Sequence, residues 1–222
     1  SIYMYWREMM RQMTNIGVGS LIIISIISVF VGGVTAIQFA YQLDGGTFPM
    51  YLIGFIVRDM MIIELAPTLS CLVLAGKVGS NIASELGTMR ISEQIDALEI
   101  MGVNSISYLI GPKVLAAIII VPPLIIISAF LGVYGGSFAA EQFGISPAIY
   151  EKGLLYMFDS FNIVIMLIKS LVFAFLIATV SAYQGYYVKG GALDIGKAST
   201  RAVVFSSILV VLSDYVLALL LT

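Results

Sequence analysis

The sequence predicts an all-α membrane protein with about five transmembrane helices, and three observations predict it. Hydrophobic residues make up 60% of the 222 and charged residues only 11%, far from the balance of a soluble domain. Mean hydropathy is +1.04. The charges fall mostly between apolar runs, each near or above the roughly 20 residues that a spanning helix needs. Composition also excludes. There is no His, which removes the commonest metal ligand and proton shuttle. Cys71 is the single cysteine, so no disulfide forms within the chain, and it reads as a small buried residue. A net charge of -2 gives no reason to expect nucleic acid. The first residue is Ser rather than Met, which suggests that the natural protein begins upstream.

Taken in order, residues 1–14 combine Tyr3, Tyr5 and Trp6 with Arg7 and Arg11. That mixture suits a helix lying in the headgroup layer, the alternative being an extension of the next helix into water. Gln12 to Leu43 carries no charge, and the first span is expected at 17–41, with Gly32-Gly33 permitting close helix approach. Asp44 to Pro49 reads as a turn. The second span is expected at 52–79, with Pro67 bending or breaking it. Val114 to Ala140 is again free of charge and gives a third span at 114–140, bent at Pro122-Pro123. Residues 141–159 read as a polar connection containing Pro147. Spans four and five are expected at 161–187 and 202–221. No internal repeat is visible, and residues 1–222 read as a single polytopic domain.

Between spans two and three, residues 85–102 hold four acids and one Arg. Ser92 can cap a helix there, Glu93 and Asp96 favour its positive end, and Gly102 can end it. A helix over 92–101 is about 15 Å long at 1.5 Å per residue, far short of a bilayer. Ile91, Ile95 and Leu98 share one face with Glu93, Asp96 and Glu99 beside it, so the helix is amphipathic and outside the hydrocarbon.

Orientation follows from Lys and Arg. With the N-terminus in the cytoplasm, Arg7, Arg11, Lys77, Arg90, Lys113, Lys189, Lys197 and Arg201 are cytoplasmic, 8 of the 11 basic residues. The positive-inside rule then places the acidic helix inside and the C-terminus outside. Within the spans, Lys169 and Asp214 fall at matching depth on adjacent antiparallel helices, roughly 12–15 Å from the outer surface. They are expected to pair and hold span four to span five. Catalytic signals are absent: Gly76-Lys77 lacks the upstream glycine spacing and the Ser/Thr of a Walker A loop. Without His there is no Ser-His or Cys-His pairing, and no His/Cys cluster for a metal.

The acidic stretch also carries a family resemblance. Glu85-Leu86-Gly87-Thr88-Met89-Arg90, Glu93-Gln94-Ile95-Asp96-Ala97-Leu98 and Met101-Gly102-Val103 resemble the signature of MlaE-type permeases. Those are the membrane subunits of ABC transporters that move phospholipids or other lipids together with MCE-domain proteins. Asn15-Ile16-Gly17-Val18, Gly76-Lys77-Val78-Gly79-Ser80, Gly135-Gly136-Ser137, Ile168-Lys169-Ser170 and Thr200-Arg201-Ala202-Val203 extend the likeness across nearly the whole chain. The resemblance implies that the short helix is a coupling helix seated in a groove of a separate ATPase subunit. Glu85, Arg90, Glu93, Gln94 and Asp96 would meet that groove, with Ile95 and Leu98 as anchors. It implies a second copy of the chain, with a phospholipid cavity lined by Val31, Thr35, Gln38, Phe39, Glu64 and Leu65. It implies no catalytic residue and no cofactor here, ATP and Mg belonging to the ATPase, and a bacterial inner membrane location.

One departure stands out. Where the family usually shows Arg-Glu-Leu-Gly-Pro, this chain has Ile63-Glu64-Leu65-Ala66-Pro67, so a headgroup contact assigned to that Arg is in doubt. Arg58, about two turns earlier, is a candidate substitute. Without the resemblance, Glu64 reads as a partner for Arg58 or Lys169, and Thr35 and Gln38 as helix–helix hydrogen-bonding groups. Two other classes fit the composition: an ion or proton channel or carrier using Lys169, Asp214 and Glu64, and a membrane scaffold that transports nothing.

Overall fold

The computed structural model describes residues 2–43 and 49–221, with the side chains of residues 2–4 set aside. The expected turn at 44–49 lies, but for Pro49, outside the described residues. Among those described there is no strand. Five helices are long and apolar enough to cross a membrane. We label the helices α1 (Ile2–Leu43), α2 (Leu52–Ile91), α3 (Gln94–Ile100), α4 (Ile106–Gln142), α5 (Pro147–Leu155), α6 (Phe161–Tyr186) and α7 (Ala192–Leu221).

Helix α1 is unbroken, so the aromatic and basic stretch at its start is continuous with the first span. No proline interrupts it and nothing caps it internally. Helix α2 continues past Lys77 and Glu85 to Ile91, because a charged side chain does not end a helix unless it competes for the backbone. It accommodates Pro67 by widening just before it: Met61–Leu65 form a π turn in which the Ala66 N–H donates to the Met61 carbonyl, five residues back. A second π turn covers Ala75–Gly79. In α4 the same device recurs, with a π turn at Ile106–Ile110 two residues before Pro112. The proline ring cannot donate and crowds the preceding turn, and the wider turn relieves both. Farther on, α4 stays helical through Pro122-Pro123.

Helix α5 falls within the stretch read as a polar connection. Pro147 starts it, as proline does at a first helical position where no N–H is needed.

The chain forms two compact units. One comprises Leu21–Ser70 and Pro123–Ile168. There α1 and α4 touch backbone to backbone: a Cβ on Gly32 would overlap the Gly132 carbonyl, and one on Gly135 the Val29 carbonyl. That contact carries a hydroxyl relay, Ser28 to Ser128 at 2.6 Å and Ser128 to Ser70 at 2.8 Å. Since Ser28 donates to the Ile24 carbonyl at 2.6 Å, Ser128 donates to Ser28 and Ser70 to Ser128, each hydrogen being used once.

Arg58, 4% exposed, holds the end of α5. Its guanidinium donates to the Leu154 and Tyr156 carbonyls at 2.6 and 2.9 Å and pairs with Asp59 at 2.8 Å. It also lies against the rings of Phe55 and Phe158. These contacts occupy the group considered above as a headgroup ligand.

The other unit comprises Ser1–Ser20, Cys71–Pro122 and Lys169–Thr222. Its core contains Leu86, Ile95, Phe173 and Ala202, all fully buried. Gly185 of α6 meets the Ala83 backbone of α2, and Ser84 and Ser199 link α2 to α7 at 2.8 Å. Lys169 Nζ lies 2.7 Å from Asp214 Oδ1, linking α6 to α7 with side-chain exposures of 0% and 10%.

Candidate coupling site

The acidic stretch is a compact turn-helix-turn within this second unit. Ser92 ends α2 rather than starting the next helix: its N–H and its hydroxyl both reach the Thr88 carbonyl, at 3.0 and 2.8 Å. Glu93 then takes a left-handed conformation, φ 59°, which reverses the chain. A non-glycine residue there costs backbone energy. The Glu93 carbonyl accepts from Ala97 N–H at 2.9 Å, so α3 begins at Gln94. Gly102, at φ +76°, ends it: its N–H donates to Glu99 O and the Val103 N–H to Leu98 O. That bonding pair is a Schellman motif, favoured where glycine can be left-handed.

The apolar stripe of α3 faces its own chain. Ile95 is fully buried and Leu98 half-buried, while Ile100 and Met101 are 87% and 68% exposed. Glu93 and Gln94 are also exposed.

The acids divide by partner. Glu85 is bound to Lys113 at 2.5 Å, with the lysine side chain only 2% exposed. Asp96 pairs with Arg90 at 2.8 Å, and the Arg90 guanidinium lies 5.7 Å from the Tyr186 ring centre. Glu85, Arg90 and Asp96 thus make contacts within the chain while their side chains stay 41%, 35% and 49% exposed, and Glu93 and Gln94 are exposed beside them.

Sequence reasoning missed the residues that lock this element. Glu99 Oε1 accepts from the Ser105 hydroxyl at 2.7 Å and from the Tyr186 hydroxyl at 2.9 Å. Ser105 and Tyr186 are themselves 2.7 Å apart. Those hydrogen bonds, Ser105's first and Tyr186's second, hold the Glu99 carboxyl below its ordinary pKa. Ser105, 3% exposed, opens α4, and Tyr186 ends α6. The latch thus ties α3 to the ends of two long helices. The only signal in the sequence is the tyrosine-rich end of α6, which equally suits an interfacial belt.

The residues expected to line a lipid cavity belong to the first-described unit. Val31, Thr35 and Gln38 lie at i, i+4 and i+7 of α1, and Glu64 and Leu65 in the Met61–Leu65 π turn. Gln38 is exposed; Val31, Glu64 and Leu65 are half-buried. Thr35 is 7% exposed and donates to the Val31 carbonyl of its own helix at 2.8 Å, so its hydroxyl does not bridge helices. Among the described residues no cluster of His, Cys, Asp or Glu could hold a metal ion.

Comparison with known proteins points one way. Residues 9–220 match the family model described as Permease MlaE. A probable ABC transporter permease protein of Rickettsia bellii is 37% identical over 96% of this chain and 83% of its own length. One from Synechocystis is 35% identical over 97% of this chain and 82% of its own. The chloroplastic protein TRIGALACTOSYLDIACYLGLYCEROL 1 of Arabidopsis thaliana is 33% identical over 96% of this chain and 61% of its own.

Proposed function

The chain belongs to the MlaE permease family and is a multi-pass transporter permease subunit; on that premise we propose that it moves phospholipid or a related lipid, driven by a separate ABC ATPase subunit. Two copies of the chain enclose the lipid route, lined by Val31, Thr35, Gln38, Glu64 and Leu65. An MCE-domain protein hands the lipid on. The membrane is the bacterial inner membrane, with the N-terminus cytoplasmic and the C-terminus periplasmic. ATP and Mg are held by the ATPase; this chain supplies no catalytic group.

One observation carries the reading: a seven-residue helix, anchored by Ile95 and the Glu99 latch, presents exposed Ile100 and Met101 beside exposed Glu93 and Gln94. An apolar tip rimmed by polar groups is what a partner groove requires. Since Glu99 is bonded to Ser105 and Tyr186, motion of the tip is passed to α4 and α6 instead of being absorbed by a loose loop. The ion-relay alternative is less well supported, because Lys169 and Asp214 form a buried ion pair at 2.7 Å, which serves to join α6 to α7.

The test is co-purification of the chain with its ATPase and lipid-stimulated ATP hydrolysis by the reconstituted complex. Ile100→Asp with Met101→Asp is expected to abolish ATPase retention while the chain stays folded and membrane-inserted. Full retention and unchanged lipid-stimulated hydrolysis in that variant would sink the assignment.

A further inference from the structure

Three basic residues of the long helices, Arg58, Lys113 and Lys169, each lie within 2.8 Å of a carboxylate. Lys77 lacks a carboxylate within ion-pair distance among the described residues, as do Arg7 and Arg201, but those two are exposed and Lys77 is half-buried. A cation in a spanning helix with no counter-ion points to a ligand. Lys77 is half-buried in the Ala75–Gly79 π turn of α2, and its ammonium lies across Gly19 of α1, where a Cβ would come within 3.3 Å of Nζ. The missing side chain at Gly19 leaves the room for it.

Around Lys77 is a cavity of about 660 Å³, lined by Gln12, Asn15 and Gly19 from α1 and by Lys77, Asn81 and Glu85 from α2. Asn15 and Asn81 are exposed, and their carboxamides make no hydrogen bond to described residues. Glu85 is neutralised by Lys113 at 2.5 Å, so the cavity keeps one uncompensated positive charge and two free amide donors. Both helices place it at the border of the apolar layer. On α1 it occupies the first turns after Arg11, the last charge before the charge-free run to Leu43. On α2, residues 66–76 carry no charge, and Lys77 opens the polar stretch through Asn81, Ser84, Glu85 and Thr88 to Arg90.

We propose that this cavity binds a phosphate group, in the first place that of an anionic phospholipid headgroup in the leaflet it borders. A lysine ammonium and side-chain amides are the donors that phosphate oxygens take, and basic pockets between spanning helices hold such headgroups. The inference goes beyond the transport reading and stands without it, since a headgroup can bind here whether or not lipid is moved.

The experiment uses the full chain in nanodiscs of phosphatidylcholine with added phosphatidylglycerol, followed by detergent extraction and quantification of retained lipid. Lys77→Gln removes the charge; Gly19→Leu fills the space without touching charge, and keeps the test alive if the first variant fails to fold. Lys152→Gln, which is not among the residues lining the cavity, is the control. Wild type and control are expected to retain phosphatidylglycerol over phosphatidylcholine, and both cavity variants about fivefold less, the loss of one basic contact. Displacement of the lipid by inorganic phosphate, dependent on Lys77, would support the site and assign it to free phosphate as well. Equal retention by wild type and both variants overturns the proposal. So does unchanged retention with lost self-association, which would make the cavity a contact with a second copy.

Discussion

The Glu99 carboxylate and the Tyr186 hydroxyl are 2.9 Å apart, although 87 positions separate them in sequence. Ser105 closes the triangle at 2.7 Å to each. A helix of seven residues has little stability of its own, and this contact is what gives α3 a fixed attitude against α4 and α6.

Tyr186→Phe removes one donor to Glu99 and leaves the ring beside Arg90. The ATPase should still be retained, because Ile100 and Met101 are untouched, while lipid-stimulated ATP hydrolysis falls roughly three- to tenfold, the range for residues that modulate coupling between sites. Steady-state hydrolysis against lipid concentration, with pull-down of the ATPase as control, separates the two effects. Loss of retention and activity together would mean that Tyr186 acts on docking.

The latch carries a pH signature with a definite sign. The Glu99 carboxyl is held below its ordinary value by hydrogen bonds, so its contribution to holding α3 is fully present above about pH 4.3. It is lost as pH falls through the depressed folded value. Hydrogen exchange in residues 94–105 should therefore be insensitive to this group between about pH 5 and 8 and rise in acid. In Tyr186→Phe the rise should begin at higher pH, since a bond that lowers the pKa is gone.

Lys169 and Asp214, buried 2.7 Å apart on α6 and α7, should obey the arithmetic of a buried pair. Asp214→Ala alone removes the carboxylate 2.7 Å from a buried ammonium and is expected to cost about 3–5 kcal/mol. Lys169→Ala/Asp214→Ala should recover part of that loss, read as folded yield and as urea midpoint in mixed micelles. Strictly additive losses would show that the two side chains contribute separately.

How much of this is legible in the sequence varies with the physics of each element. Spans one and three follow from charge-free runs, and spans two, four and five from long apolar runs that only a few charges interrupt, because charge in hydrocarbon is costly and rare. Helix α5 is hidden by Pro147, whose meaning reverses at a first helical position: interior breaker becomes starter. The true end of α2 is hidden by Lys77 and Glu85, which look like the close of a span yet sit within an unbroken helix. At the acidic stretch the amphipathic pattern is visible, but periodicity does not say which neighbour the apolar face meets. Ile95 turns inward, and the exposed tip is Ile100 and Met101. Nor can spacing reveal that Glu99 finds Tyr186, since that contact exists only once α3 and the end of α6 are brought together.

The wide turns before Pro67 and Pro112 bear on how this chain is aligned with its kin. Each holds one residue more than an ordinary turn, so a relative with a one-residue gap between Met61 and Leu65 would have plain helix there. Every later side chain on that rod would keep its direction, because the wide turn absorbs the roughly 100° of rotation that its extra residue would otherwise add. A kin rod of equal length with plain helix there would instead carry its downstream motif residues about 100° out of phase, so that letters matched without a gap would point in different directions.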